Sequence, residues 1–211
     1  MAEFAPTKVL VTVDIVLFTI REKLLHVLLI RRLAQPFVGS YALPGGFLLE
    51  GEGLDEAASR ELGEETGVEK VYLEQLFTFG RPDRDPRGRV VTVAYYALVP
   101  NSQLLQAGSD AGEASWFALN NLPQLAFDHG EIIAYAHRRI ANKLDYSNVG
   151  FELLPEKFTL SELQIVHEAI LGCSLDKRNF RRKISQQGIV EPTREMQKTG
   201  RKPAQLYRFK S

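Results

Sequence analysis

Gly46–Val68 reads GFLLEGEGLDEAASRELGEETGV, and the reading of the whole chain starts there. Leu54, Ala57, Ala58, Glu61, Leu62 and Glu65 recur at the helical period, which predicts a helix over Leu54–Thr66. Gly67 sits where a left-handed C-cap belongs. On that helix Glu61, Glu64 and Glu65 are three and four positions apart, so all three share one face. Like charges stacked this way repel by about a few tenths of a kcal/mol per pair. A hard divalent cation relieves them: Mg²⁺ accepts carboxylate oxygens while keeping waters and substrate phosphates in its shell. Glu52, on the turn ahead of the helix, can supply a fourth carboxylate, and Arg60 can pair with one of them. A Glu-rich helix can equally be a solvated face. Here it follows the Gly45–Gly46 turn at a fixed distance.

Outward from this stretch, Lys8–Ile20 and Leu24–Arg31 are apolar and β-branched, separated by Arg21-Glu22-Lys23, and read as a hairpin of buried strands. Tyr41–Phe47 reads as a short strand and a Gly-rich turn. Val71–Phe79 and Val90–Leu98 are strands flanking the polar loop Gly80–Arg89. Ala114–Leu119 is another, Glu131–Lys143 a helix, and Asp145–Asn148 a break. The order β-β-β-α-β-β-β-α predicts an α/β (α+β) domain, a mixed sheet with helices on its faces.

From Thr159 the character changes. Ser161–Leu171 reads as an amphipathic helix capped by Thr159 or Ser161, and Gly172–Leu175 as a turn. Asp176–Gln187 reads as a strongly basic helix with Phe180 and Ile184 on its apolar face, stopped by Gly188. Ile189–Val190 and Leu206–Phe209 are short apolar strands around a basic segment. Helix, turn, basic helix and basic hairpin outline a winged helix-turn-helix, in which Lys177, Arg178, Arg181, Arg182, Lys183, Arg201 and Lys202 are the candidate DNA contacts. Double-stranded operator DNA is the partner this implies.

The chain of 211 residues carries no net charge, but the average hides a split. Residues 150–211 hold 12 Lys and Arg against 7 Asp and Glu, while residues 1–149 hold 14 against 19. Two units with different partners are expected, the second partner an anion. We place the boundary between 1–148 and 149–211. The single cysteine, Cys173, leaves no internal disulfide framework and suggests a reducing compartment. The N-terminus lacks the apolar run of a signal peptide. No apolar stretch approaches the roughly 20 residues that span a bilayer. A cytoplasmic protein without a membrane partner is expected.

Gly46, five residues, Glu52, seven residues, then Arg60-Glu61-Leu62-Gly63-Glu64-Glu65-Thr66-Gly67-Val68 matches every fixed position of the Nudix box, and the first unit resembles the Nudix family. The resemblance implies an α/β/α sandwich and diphosphate hydrolysis by a metal-activated water. It implies Glu61, Glu64 and Glu65 as ligands of Mg²⁺ (with Mn²⁺ as a substitute), Glu52 and Arg60 as further catalytic-site residues, and Gly45 and Gly46 against the diphosphate. The loop carrying Arg84, Asp85, Arg87 and Arg89 is either a solvated turn or an anion-binding loop. It resembles the corresponding loop of Nudix proteins acting on ADP-ribose. Asp128-His129-Gly-Glu131 can offer a base in His129 or Glu131, or a helix cap in Asp128. With FTLSELQIVHEAILG, LDKRNFRRKI and GRKPAQLYRF included, the chain resembles the Nudix-related transcriptional regulators of NAD metabolism, which bind operators as homodimers and respond to ADP-ribose. Many of those have a decayed box, whereas this box is intact. A bifunctional hydrolase and regulator, a non-catalytic ADP-ribose-sensing repressor, and a housekeeping hydrolase whose basic tail only dimerises are the three readings.

Overall fold

A computed structural model describes residues 8–68, 71–101, 114–144, 146–199 and 202–210. Strand β1 (Leu10–Arg21) organises it. Val13, Ile15 and Leu17 point into one apolar cluster and Val16 and Phe18 into another, each fully buried. A strand covered on both faces has to read as a continuous apolar run, which is how it looks in the sequence. β2 (Leu24–Arg31) turns back antiparallel through Glu22 and Lys23, whose φ values of 51° and 64° make the left-handed two-residue turn of a tight hairpin. Arg21, expected in that turn, belongs to β1 and pairs with Leu24.

Among the described residues seven strands form one sheet. β6 (Val90–Leu98) runs parallel to β1, and β5 (Tyr72–Phe79) pairs with β6. Tyr41–Phe47, read as a short strand and a Gly-rich turn, holds two strands: β3 (Tyr41–Ala42) pairs with β2, and β4 (Gly45–Phe47), the expected turn, pairs with β1 at Thr12–Asp14. β7 (Ala114–Ala118) adds to β2. Because β1 pairs with β2 over Phe18–Arg21 and with β4 over Thr12–Asp14, the sheet parts between β2 and β4. The candidate site lies in that split.

Helix α1 (Leu54–Thr66) closes one face through Ala57, Ala58 and Leu62. Helix α2 (His129–Lys143) closes the other through Ile132, Ile133, Ala136 and Ile140. Burial of each Ile or Leu contributes about 1.5–3 kcal/mol. This is the expected α/β/α sandwich. α2 starts two residues earlier than its apolar period suggested. Asp128 does sit at its N-cap, but the side chain makes no cap hydrogen bond, being committed to Arg84.

A short 3₁₀ turn (Val149–Leu153) leads into the second unit. Helix α3 (Leu160–Leu171) is capped by Thr159, not Ser161: the Thr159 hydroxyl accepts the Glu162 N–H, and the Glu162 carboxylate accepts the Thr159 N–H. Helix α4 (Lys177–Gln187) is capped by Asp176, which accepts the Asn179 N–H at 2.8 Å. The intervening turn is stapled to α3 by Gln164 donating to the Leu175 carbonyl and Leu175 N–H donating to Glu168. The hairpin β8 (Val190–Thr199) and β9 (Lys202–Phe209) is longer than the two short strands expected, because its middle is polar and exposed and leaves no apolar run to read. Phe158 bonds to Tyr207 through both backbone groups, adding a third rung. Helix, turn, helix and hairpin form the winged helix. One apolar cluster runs from Val16 and Leu29 through α2 to Leu163, Val166, Ile170, Phe180 and Ile184, so the two units share a core. Among the described residues no helix is long and apolar enough to cross a membrane.

Gly63, a free position within α1, would place a Cβ in open space, with nothing within 4 Å. Gly63→Ala should therefore stabilise the protein by about 0.5–1 kcal/mol, the ordinary helix-interior difference between the two residues. A higher urea midpoint would show it, and a lower one would reveal a packing role for the glycine.

Candidate functional site

Arg60 is the hub of the Nudix-box stretch. Its Nε and Nη2 donate to the two Glu52 oxygens at 2.7 and 3.0 Å, and its Nη1 donates to Glu61 at 2.8 Å and Glu64 at 3.2 Å. Nη2 also reaches the Phe47 carbonyl at 3.4 Å. One guanidinium thus gathers three carboxylates and ties the loop after β4 to α1. Hydrogen bonding from Arg60, with help from the Leu49 N–H, holds the Glu52 carboxyl below its usual range.

Glu65 faces inward. Its carboxylate accepts the Gly45 N–H at 2.7 Å. Burial pushes its carboxyl up to about 7, against the opposing effect of that hydrogen bond, and the charges of Glu61 and Asp14 raise it further. The glycines at the turn are dictated by crowding. A Cβ on Gly45 (φ 154°) would lie 2.1 Å from the Val13 carbonyl oxygen, and one on Gly46 would lie 2.1 Å from a Glu61 oxygen. Bare backbone is the only way for β4 to pass between β1 and the acidic face of α1.

Among the described residues no three acidic, imidazole or thiol side chains converge closely enough to hold an ion as they stand. Arg60 draws Glu52, Glu61 and Glu64 to itself instead. The donor set still suits a hard cation. Glu61, Glu65 and Asp14 lie near enough to raise the Glu65 carboxyl by mutual repulsion, and a cation would relieve exactly that excess of negative charge.

A cavity of about 540 Å³ opens in the sheet split. Its floor carries Thr12, Asp14, Gly45, Gly46 and Glu65, and its walls carry Arg32, Phe47, Arg84, Asp85, Arg87, Phe127 and His129. Such a volume suits a ligand of nucleotide-conjugate size. Arg87 lies over the Phe47 and Phe127 rings at 5.0 and 5.5 Å and pairs with Asp85 at 2.6 Å. Arg32 lies over Phe127 at 4.8 Å. Arg84, almost wholly buried, donates to both Asp128 oxygens at 3.0 and 2.8 Å and to Asp14 at 3.4 Å. His129 Nδ1 accepts the Leu43 N–H at 2.8 Å, so the neutral ring carries its proton on Nε2, 3.6 Å from Asp14. Burial holds that imidazole below its usual pKa and hence neutral near pH 7.

The structure therefore brings Gly45, Gly46, Glu65, Arg84, Asp85 and Arg87 to one cavity. Arg89 does not line it: its guanidinium donates to the Gly80 carbonyl at 2.6 Å and closes the base of the loop. Glu52, Arg60, Glu61 and Glu64 do not line it either: the three carboxylates gather on Arg60, and the Glu64 side chain is 62% exposed. Glu131 is spent on a surface pair with Arg81. Sequence reasoning missed Thr12, Asp14, Arg32, Phe47 and Phe127 as cavity residues. A lone Asp inside the apolar run of β1 was the one available signal, since a charge there needs a buried partner. In the winged helix, Lys177, Arg178, Arg181, Arg182 and Lys183 are all exposed along α4, and Arg182 donates to Asn179. Arg201 lies outside the described residues, and Lys202 is placed as the first residue of β9.

Comparisons with known proteins agree on two units. A NUDIX domain profile matches residues 8–136, and a profile for the NrtR DNA-binding winged helix domain matches residues 150–209. An ADPR responsive transcriptional repressor of Acinetobacter baylyi is 41% identical over 204 residues, covering 95% of this chain and 82% of its own. An ADP-ribose pyrophosphatase of Methanocaldococcus jannaschii is 49% identical over 112 residues, 53% of this chain and 66% of its own. The crystal structure of Shewanella oneidensis NrtR complexed with a 27mer DNA superposes with a TM-score of 0.85 at 40% identity, covering 95% of this chain and 93% of that one.

The raised Glu65 carboxyl has a consequence for stability. Unfolded, it ionises near 4.5; folded, near 7. Between these values the folded protein holds a proton that the unfolded chain has released, so stability falls with rising pH and stays low above 7. Without divalent cations, Glu65→Gln should remove this slope and stabilise the protein at pH 8 by about 2 kcal/mol relative to wild type. Parallel stability curves for the two proteins across pH 5–8 would contradict the assignment.

Proposed function

The chain belongs to the NUDIX family, with an NrtR-type winged helix attached, and we propose that it is an ADP-ribose-responsive transcriptional regulator with ADP-ribose pyrophosphatase activity. The observation that carries this reading is the cavity, which puts bare backbone at Gly45–Gly46, the Nudix-box carboxylate Glu65 and an arginine-and-aromatic wall around one space on a chain that also presents a basic helix. The named relatives support both halves. ADP-ribose is a product of NAD cleavage, so a regulator that answers to it reports on NAD turnover.

In this reading the diphosphate lies against Gly45 and Gly46, and the cationic edges of Arg32 and Arg87 offset its charge. Phe47 and Phe127 offer flat apolar faces to the base or sugar. Asp85 holds the Arg87 guanidinium in place. Glu61, Glu64 and Glu65 would hold the divalent cation the family uses, Mg²⁺ in our proposal, which supplies positive charge against the diphosphate and acidifies the attacking water. Glu52 and Arg60 orient those carboxylates. A bound cation would also hold the Glu65 carboxyl ionised, offsetting the burial that raises it to about 7 in the free protein. α4 enters the major groove, with Arg178, Arg181 and Arg182 on phosphates or base edges. A homodimer reading two half-sites is the assembly that fits such a helix, and the cytoplasm the compartment that goes with its duplex partner. We place the functional boundary at 148/149.

One observation favours a second reading, a sensor that binds without turnover: Arg60 occupies three of the four box carboxylates, so a cation has to displace its ion pairs. The third reading, a tail that only dimerises, has the winged-helix match over residues 150–209 against it.

With ADP-ribose and Mg²⁺ the protein should release AMP and ribose 5-phosphate. Glu64→Gln should lower that turnover by orders of magnitude with duplex affinity nearly intact. Tight binding with no product at all selects the sensor. Arg181→Ala with Arg182→Ala should weaken duplex binding and flatten its salt dependence by about one unit per lost phosphate contact. An unchanged salt slope moves DNA recognition off α4.

A further inference from the structure

We propose that α2 carries the state of the cavity to the DNA-reading helix, with Arg84–Asp128 as its input contact and the hydrogen bond from His137 to Ile170 as its output contact. The inference rests on the reading of the cavity as an ADP-ribose site and names how that site regulates.

The input end is built against the cavity. Phe127 and His129 line it, and Asp128 between them grips Arg84 through two hydrogen bonds, both side chains 3% exposed. Phe127 has φ 52°, a left-handed conformation that a bulky residue adopts only under constraint. An anionic ligand entering beside Arg84 competes with Asp128 for the guanidinium. Losing that grip releases the first turn of α2.

The body of the helix moves as one piece. Ile132, Ile133, Ala136 and Ile140 are fully buried, and close-packed cores shift rather than compress. Its far end is pinned, because Lys143 donates to Glu74 at 2.7 Å and to the Tyr96 hydroxyl at 3.2 Å. A displacement at Asp128 therefore swings α2 about Lys143.

His137 lies between the pinned end and the released end. Its Nε2–H donates to the Ile170 carbonyl at 2.7 Å. Ile170 is in the last turn of α3, where carbonyls have no partner within the helix, so His137 supplies the one this carbonyl lacks. From Ile170 the chain reaches the first residue of α4, Lys177, through the short turn that Gln164 and Glu168 staple to α3. The N-terminal part of the second helix is the part that meets base edges in helix-turn-helix proteins. A movement of α2 is thereby delivered to the residues that read DNA.

The test compares duplex Kd with and without ADP-ribose, in buffer free of divalent cations so that the ligand persists. The ratio of the two values measures the coupling. Wild type should give a ratio clearly different from 1. His137→Phe, which keeps a ring and loses the donor, should bring the ratio to within about two-fold of 1. Its ADP-ribose Kd and its ligand-free duplex Kd should stay near wild type. His137→Gln, which restores an N–H donor at similar reach, should recover the coupling. A ratio unchanged in His137→Phe overturns the route while leaving ADP-ribose-responsive regulation intact. A wild-type ratio of 1 removes the regulatory reading itself, and this inference with it. Hydrogen exchange on the wild type gives a second readout that needs no variant. ADP-ribose should alter amide protection in the last turn of α3 and the first turn of α4, and a change confined to the cavity loops contradicts the proposal.

Discussion

The site depends on one guanidinium, Arg60, gathering Glu52, Glu61 and Glu64. Three carboxylates on adjoining turns repel one another, and their attraction to a shared cation fixes the loop after β4 against α1. That attachment holds β4 where its glycines run beside the acidic face, and Glu65 completes it by accepting the Gly45 N–H. Arg60 ties the loop after β4 to α1, while the ladder between β4 and β1 keeps the two glycines at the cavity floor.

Arg60 also sets the terms on which a cation can bind. Glu61 and Glu64 already have a partner, so ligation exchanges an ion pair for a metal bond rather than filling an empty valence. Among the described residues Glu65 has no cationic partner at hydrogen-bond distance, and burial raises its carboxyl to about 7. Glu61, Glu64 and Glu65 thus differ in what they offer: the first two arrive engaged with Arg60, and Glu65 arrives half-protonated near neutral pH. A protein that measures ADP-ribose and a protein that destroys it need the same cavity and differ in how readily this exchange occurs.

The sequence made the box helix legible to the residue, because a 3.6-residue apolar period, a glycine stop and three spaced carboxylates all agree. α3 and α4 were readable for the same reason, although Thr159 and Ser161 competed as the cap of α3, and Asp176, read as part of α4, is its cap. The cavity walls were not. Asp14 comes from β1, Arg32 from the end of β2 and Phe127 from the loop before α2, and no local pattern links positions so far apart. Arginine count misled in one respect: the loop after β5 looked like a set of free anion-binding forks, yet Arg84 is committed to Asp128 and Arg89 to a carbonyl. A guanidinium's partner is a tertiary fact. The wing was under-read because a solvated hairpin carries no apolar run, and the shared core between the units was invisible because each helix shows only that it has an apolar face, not against which neighbour.

Two ligands on one chain are linked only if each changes the affinity of the other, and by the same factor. The direct measurement is a calorimetric titration of ADP-ribose into the full-length protein, free and saturated with its operator duplex, without divalent cations. The account predicts two different dissociation constants, whose ratio equals the change ADP-ribose makes in duplex affinity. Equal constants would contradict it, leaving a hydrolase domain and a DNA-binding domain that share a core and do not communicate.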